Sequence, residues 1–261
     1  MNRQQGKNPA FIVILVLALI SAVIMVFLLS SILGLGYRTL DNGVSFFGRS
    51  RDGEPFRGTV YYEGTSAEYD RETNLLLFTN GNRYEGEVKN LVPHGMGKMI
   101  YANGDVYEGS FQNGLCSGRG VFTYACGDRY DGEMLNGMRH GSGIYVAADG
   151  TRYEGYFTEN LKNGVGKLNY TDGSVYEGAF MNDMKNGMGT LTFACGDRYT
   201  GNFVNNVRQG QGSYQWASGD SYTGGFENNL MHGQGSYVWA AAPGETPRSF
   251  TGTFQEGKAL S

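Results

Sequence analysis

From Tyr84 onward, apolar and polar residues alternate in short runs that return in the same order every 23 residues. In the stretch Tyr107 to Arg129, Tyr107, Gly109 and Phe111 alternate with Glu108 and Ser110, the period-two signature of a strand with one apolar face. Phe122 and Tyr124, with Thr123 between them, mark a second strand. Asn113-Gly114 and Gly118-x-Gly120 supply the positive-φ backbone that a connection needs, and Cys126-Gly127-Asp128 turns the chain into the next repeat. A repeat of 23 residues leaves no room for a helix as well, so each one reads as a β-hairpin.

The tripeptide Tyr-x-Gly starts at Tyr84, Tyr107, Tyr130, Tyr153, Tyr176, Tyr199 and Tyr222. Looser copies start at Phe56 and Phe250, each 28 residues from its neighbour. A fixed period this short predicts a stacked array and not an enzyme fold around a buried site. Stacking aligns four columns on one face. The tyrosines form the first, and the residues four further on, Val88 through Phe226, form the second. The third runs from Met99 to Tyr237. The fourth is Tyr101, Tyr124, Ala147, Tyr170, Phe193, Trp216 and Trp239. The expected fold is all-β: an elongated single-layer twisted antiparallel meander of stacked hairpins. About 16 strands at ~4.8 Å would extend on the order of 75 Å.

The N-terminal segment differs in kind. No charge falls between Lys7 and Arg38, and Ala10 to Leu35 is almost wholly apolar, long enough as a helix for a ~30 Å hydrocarbon core. It lacks the short apolar region and Ala-x-Ala-like site of a cleaved leader, so it reads as a transmembrane helix of the signal-anchor type. The expected organisation is a tail over 1–9, the helix over 10–35, a linker over 36–55, a degenerate capping repeat over 56–83, seven repeats over 84–249, and a terminal strand and tail over 250–261. The expected location is a membrane, crossed once. Arg3 and Lys7 before the helix balance Arg38, Arg49 and Arg51 after it, which leaves the side of the repeats open.

The order Tyr-Glu-Gly, Asn-Gly, His-Gly-x-Gly, Asp-Gly-x-x-Tyr resembles the membrane occupation and recognition nexus (MORN) repeat. Tyr130-Asp131-Gly132, Asn136-Gly137, His140-Gly141-Ser142-Gly143 and Asp149-Gly150-Thr151-Arg152-Tyr153 carry it, and the likeness covers about residues 56–254. It implies an elongated meander with an aromatic-lined groove that acts as a scaffold for partner segments, often at membranes, with some members dimeric. Some relatives carry a catalytic domain after the repeats; Ser261 follows the last strand here.

Chemistry adds little. His94, His140 and His232 occupy one turn position in different repeats, at least ~19 Å apart, too far to share a metal ion. No catalytic constellation, metal site or cofactor is expected, and the protein reads as a non-enzyme. Cys126 and Cys195 lie three repeats apart and Cys116 at the far end of a strand, so no intrachain disulfide is expected. From Phe56 on, 16 Lys and Arg face 22 Asp and Glu, which argues against nucleic acid and against anionic lipid. Arg83, Arg129, Arg152 and Arg198 recur before the tyrosine, but Glu85, Asp131 and Glu154 share a sheet face with the first three.

A single layer cannot bury a whole aromatic face, and exposed apolar surface marks binding. The expectation is a membrane-tethered scaffold whose groove takes a protein or peptide at Tyr101, Tyr124, Tyr170, Phe193, Trp216 and Trp239. Ala147 interrupts that column, either as a notch or as a gap filled by its neighbours. Phe250 and Phe254 on the final strand are the candidate edge for a homodimer. An exported carbohydrate- or envelope-binding module is the alternative, and phospholipid headgroup binding by the repeats is third.

Overall fold

A computed structural model describes residues 9–260, with side chains from residue 16. The chain falls into two compact units that meet in sequence at Ala102 and Asn103. Among the described residues it forms one helix and 21 strands. Within each unit, consecutive strands pair antiparallel.

In the first unit, α1 (Pro9–Ile32) leads into β1 (Leu35–Thr39), β2 (Ser45–Arg51), β3 (Glu54–Tyr62), β4 (Thr65–Asp70), β5 (Leu75–Phe78), β6 (Arg83–Lys89) and β7 (Val92–Ile100). The second unit carries β8 (Val106–Gln112), β9 (Leu115–Thr123), β10 (Arg129–Leu135), β11 (Met138–Val146), β12 (Arg152–Thr158), β13 (Leu161–Asn169), β14 (Val175–Met181) and β15 (Met184–Thr192). It continues with β16 (Arg198–Val204), β17 (Val207–Gln215), β18 (Ser221–Glu227), β19 (Leu230–Val238), β20 (Ser249–Gln255) and β21 (Lys258–Ala259).

Two expectations need correction, and a third is not supported among the described residues. The segment 36–55, read as a linker, is strand: β1 pairs with β2, and β2 with β3. Phe46-Phe47-Gly48 is a degenerate Tyr-x-Gly, with Phe46 buried and Gly48 opposite Gly58. Its spacing of ten residues from Phe56 hid it from the 23-residue period. The strand count is therefore higher than the hairpins alone predicted. Second, no helix among the described residues is long and apolar enough to cross a membrane. The span expected over 10–35 includes residues 10–15, whose side chains lie outside the described set; those from Val16 to Ile32 cover about 25 Å. Third, Gly118-x-Gly120 and its equivalents are not the connection: they sit inside β9 and its counterparts.

The connection is two residues long. Asn113 and Gly114 have φ of 51° and 86°, and Asn205-Asn206 and Asn228-Asn229 are likewise positive at both positions. That is the type I′ signature, whose twist matches the flanking strands and which asparagine tolerates. The glycines inside the strands have another purpose. Gly132 pairs with Gly143, which pairs in turn with Gly155. A Cβ on Gly143 would stand 2.7 Å from Cζ of Tyr130. The glycine column is the seat on which each tyrosine ring lies flat.

On that seat the core is a zipper of rings. Tyr84, Tyr107, Tyr130, Tyr153, Tyr176, Tyr199 and Tyr222 are all at most 1% exposed. Phe157, Phe180, Phe203 and Phe226 each insert edge-on between two tyrosines. Phe180 lies 5.1 Å from both Tyr153 and Tyr176, and Phe203 lies 5.2 and 5.1 Å from Tyr176 and Tyr199. The tyrosine hydroxyls donate to main-chain carbonyls three residues on, such as Tyr176 to Ala179 at 2.9 Å. A sheet with one layer thus builds its core within its own thickness.

Candidate groove on the aromatic face

Columns three and four lie on the same face as the zipper, but most of their side chains are only half-buried. Tyr124, Tyr170, Phe193 and Trp216 are intermediate, and Trp239 is 37% exposed. Tyr101, in the first unit, is half-buried too. The residues expected to bind a partner are therefore accessible, though not all adjoin one another. Phe193, Tyr214, Trp216, Tyr237 and Trp239 form an unbroken stack, with successive centroids 6.0, 4.6, 5.2 and 4.9 Å apart. Tyr124 stacks instead on Phe122 at 4.5 Å and meets Tyr145 at 6.4 Å. Ala147 separates Tyr124 from Tyr170.

Each fourth-column residue begins the turn between repeats. Trp216 N–H donates to the Asp220 carbonyl and Gly219 N–H to that of Trp216, both at 2.9 Å. The turn aspartates then tie one repeat to the next. Asp128 accepts from the Tyr145 hydroxyl and from Ala148 N–H, and Asp197 accepts from Tyr214 at 2.6 Å and Ala217 N–H at 2.9 Å. Asp220 accepts from Ala240 N–H at 2.8 Å and Tyr237 at 2.7 Å. The tyrosine hydroxyl, then the backbone N–H, hold Asp128 and Asp197 below the usual carboxylate range. For Asp220 the backbone bond is the larger cause. Burial, reinforced by these carboxylates, pushes Tyr145, Tyr214 and Tyr237 up to about 12.

A depressed carboxylate stabilises the fold above its unfolded value, about 3.9, and that gain is lost as pH falls through the lower folded value. The triple variant Asp128→Asn, Asp197→Asn, Asp220→Asn is expected to melt below the native protein at pH 7. The gap should narrow as pH falls below the ordinary carboxylate value of about 3.9. Circular-dichroism melts across pH check this; a gap that persists undiminished in acid would contradict it.

A second set of residues on this face was not anticipated. Nine positions after the tyrosine, four consecutive repeats carry a cation: Arg139, Lys162, Lys185 and Arg208. Their charged ends fold over the rings. Arg139 lies 4.8 Å above Tyr145 and 5.4 Å above Phe157, and Arg208 lies 5.2 Å above Tyr214. Lys185 lies 5.6 Å above both Tyr170 and Tyr176. Burial pushes the Lys185 amine below its ordinary value, and the charge of Arg208 adds to this. The 23-residue spacing was visible, but nothing local in the sequence says that a long side chain reaches back across its repeat. Two hollows open along this face. One of about 300 Å³ is lined by residues that include Arg208, Tyr214, Trp216, Phe226 and Met231, and one of about 160 Å³ by Arg139, Tyr145, Phe157, Asn160, Lys162 and Asp183.

The opposite face behaves as the sequence implied. Arg129 pairs with Asp131 at 3.1 Å, Arg152 with Glu154 at 2.7 Å, and Arg83 with Glu85. The expected dimer edge is altered. Phe254 is 3% exposed against Tyr222, as the last second-column residue. β21 pairs with β20 at Phe254 and Gln255, so this part of the edge is covered. Phe250 stands opposite Tyr237, where a first-column tyrosine would be.

The fold and its open face define an antiparallel β-meander repeat array whose core rings are seated on glycine. Seven consecutive matches to the MORN repeat span residues 84–241, more than half of the chain. The chain belongs to the MORN repeat family. No curated protein matches it. Solved structures align with it weakly. The TCP domain of SAS-4 (dCPAP) from Drosophila melanogaster, in complex with a proline-rich motif of Ana2 (dSTIL), is 14% identical with a TM-score of 0.31, covering 78% of this chain and 96% of that one. The TCP10 domain of Danio rerio CPAP, in complex with a STIL peptide, is 12% identical with a TM-score of 0.30, covering 84% and 99%. Virginiamycin B lyase from Staphylococcus aureus is 11% identical with a TM-score of 0.16, covering 86% of each chain.

Proposed function

We propose that this protein is a non-enzymatic scaffold that captures a protein segment on its aromatic face and is tethered to a membrane by its N-terminal helix. One observation carries the groove reading: in the second unit the first two columns are sealed, while the stack from Phe193 to Trp239 stays partly open. Partly exposed Trp and Tyr beside Arg are the residue types that dominate interface energetics. Benzoylphenylalanine placed at Trp216 or Trp239 should cross-link a partner in cells, whereas placed at Thr200 or Thr223 on the opposite face it should not. Equal labelling from both faces, or labelling from the opposite face alone, would reject the groove.

The tether is supported by the charge-free sequence between Lys7 and Arg38 and by exposed apolar side chains along α1, including Phe27 at 74% and Ile32 at 80%. The cysteines are reduced, and Cys126 and Cys195 are exposed while Cys116 is buried. Cys126 and Cys195 are therefore the reporters of topology. In intact cells a membrane-impermeant maleimide should leave them unlabelled if the repeats face the cytosol, and permeabilisation should then label both. Recovery of the full-length protein in the soluble fraction, without detergent, would remove the tether.

A further inference from the structure

The cation row says what kind of segment the groove takes. Arg139, Lys162, Lys185 and Arg208 are consecutive repeat equivalents, and two strands per repeat set them about 10 Å apart. Their charged ends lie over rings. Among the described residues, of these four cations only Lys162 has a carboxylate at ion-pair distance, Asp183 at 3.5 Å. Arg139 and Arg208 donate to the carbonyls of Asn160 and Asn229, both at 2.8 Å, and Lys185 to the Tyr170 hydroxyl at 3.3 Å. Nε of Arg139 has no hydrogen-bond partner. The turn aspartates that precede Arg139 and Arg208, Asp128 and Asp197, are each occupied by a tyrosine hydroxyl and a backbone N–H.

A row of positive charge pinned on aromatic rings accepts anionic groups at its own spacing. Polyproline II backbone has three residues per turn and rises ~3.1 Å each, so every third side chain returns to one face after about 9.3 Å. A β-strand does not match, because its residues i and i+3 point to opposite faces. We infer that the groove of the second unit binds an extended polyproline-II-like polypeptide segment carrying carboxylates at every third residue, received by Arg139, Lys162, Lys185 and Arg208. This rests on the groove reading above and adds the chemistry of the partner. Net negative charge on the rest of the repeats disfavours an acidic segment elsewhere, so the row also sets where it lands.

The test uses the full-length protein in non-ionic detergent and fluorescein-labelled twelve-residue peptides built from Glu-Ala-Pro repeats. Fluorescence anisotropy should show the Glu peptide binding about tenfold or more tighter than its Gln counterpart, with affinity falling as salt rises. A peptide of the same composition with its four glutamates grouped at one end should bind several-fold more weakly. The variant Lys185→Met with Arg208→Met keeps the apolar stems; verified as folded by its melt, it should lose about tenfold for the spaced Glu peptide and little for the Gln peptide. Equal affinity for Glu and Gln peptides, indifference to spacing, an unaffected variant, or no peptide binding would each overturn the inference. So would binding of phosphatidylserine vesicles through these cations in place of the peptide. The groove reading is judged separately, by the cross-links from Trp216 and Trp239.

Discussion

Gly189→Ala is expected to destabilise the array by about 3 kcal/mol, the upper end of what overpacking costs. A Cβ at this position would stand 2.6 Å from both Cε2 and Cζ of Tyr176. The ring cannot yield. It is completely buried, its hydroxyl is bonded to Ala179, and Phe180 and Phe203 hold it edge-on from both sides at 5.1 and 5.2 Å. The backbone is close-packed as well: Gly178 and Gly201 stand opposite Gly189, and a Cβ on Gly178 would lie 2.4 Å from the Gly189 Cα. Gly187→Ala is the internal comparison. Gly187 has φ of 91°, so alanine there is strained, but its Cβ would meet only the Ala179 Cβ, at 3.3 Å. Its expected cost is about 1–2 kcal/mol, the penalty for left-handed backbone. Urea titrations of both variants rank them. If Gly187→Ala proved the costlier, the glycines would serve the connections, as the sequence alone suggested, and the seat for the ring would be of minor weight.

That comparison shows what the sequence made legible. The 23-residue period, the hairpins and the four columns follow from alternation and turn residues, because each is a local property of a few neighbouring positions. The purpose of Gly189 does not, since a glycine beside a turn looks like turn chemistry until the ring from the previous strand is seen lying on it. Phe46 and Gly48 were hidden because their copy keeps the pairing but loses the spacing. Burial within the columns was only half legible: that some aromatic area stays open follows from a single layer, but which columns close depends on ring-on-ring geometry. The cations over the groove were least legible. Arg129 and Arg139 look alike in sequence, yet one pairs with Asp131 on the outer face and the other lies on Tyr145.

Phe203→Ala and Trp239→Ala should separate the core from the groove. Phe203 is 1% exposed and touches two buried tyrosines, so truncation opens a gap in the zipper and should cost about 3–5 kcal/mol. In a repeat array each unit leans only on its neighbours, so this loss should also uncouple the two sides of the gap and broaden or split the melt. Trp239 is 37% exposed, stacked on Tyr237 at 4.9 Å with Arg248 lying 5.2 Å above it. Removing it forfeits roughly one stacking contact and should cost about 1 kcal/mol. A small cost for so large and open an aromatic side chain would support the proposed contact with a partner. If calorimetry instead found the two costs equal, column four would be core, and the case for a groove would rest on the cation row alone.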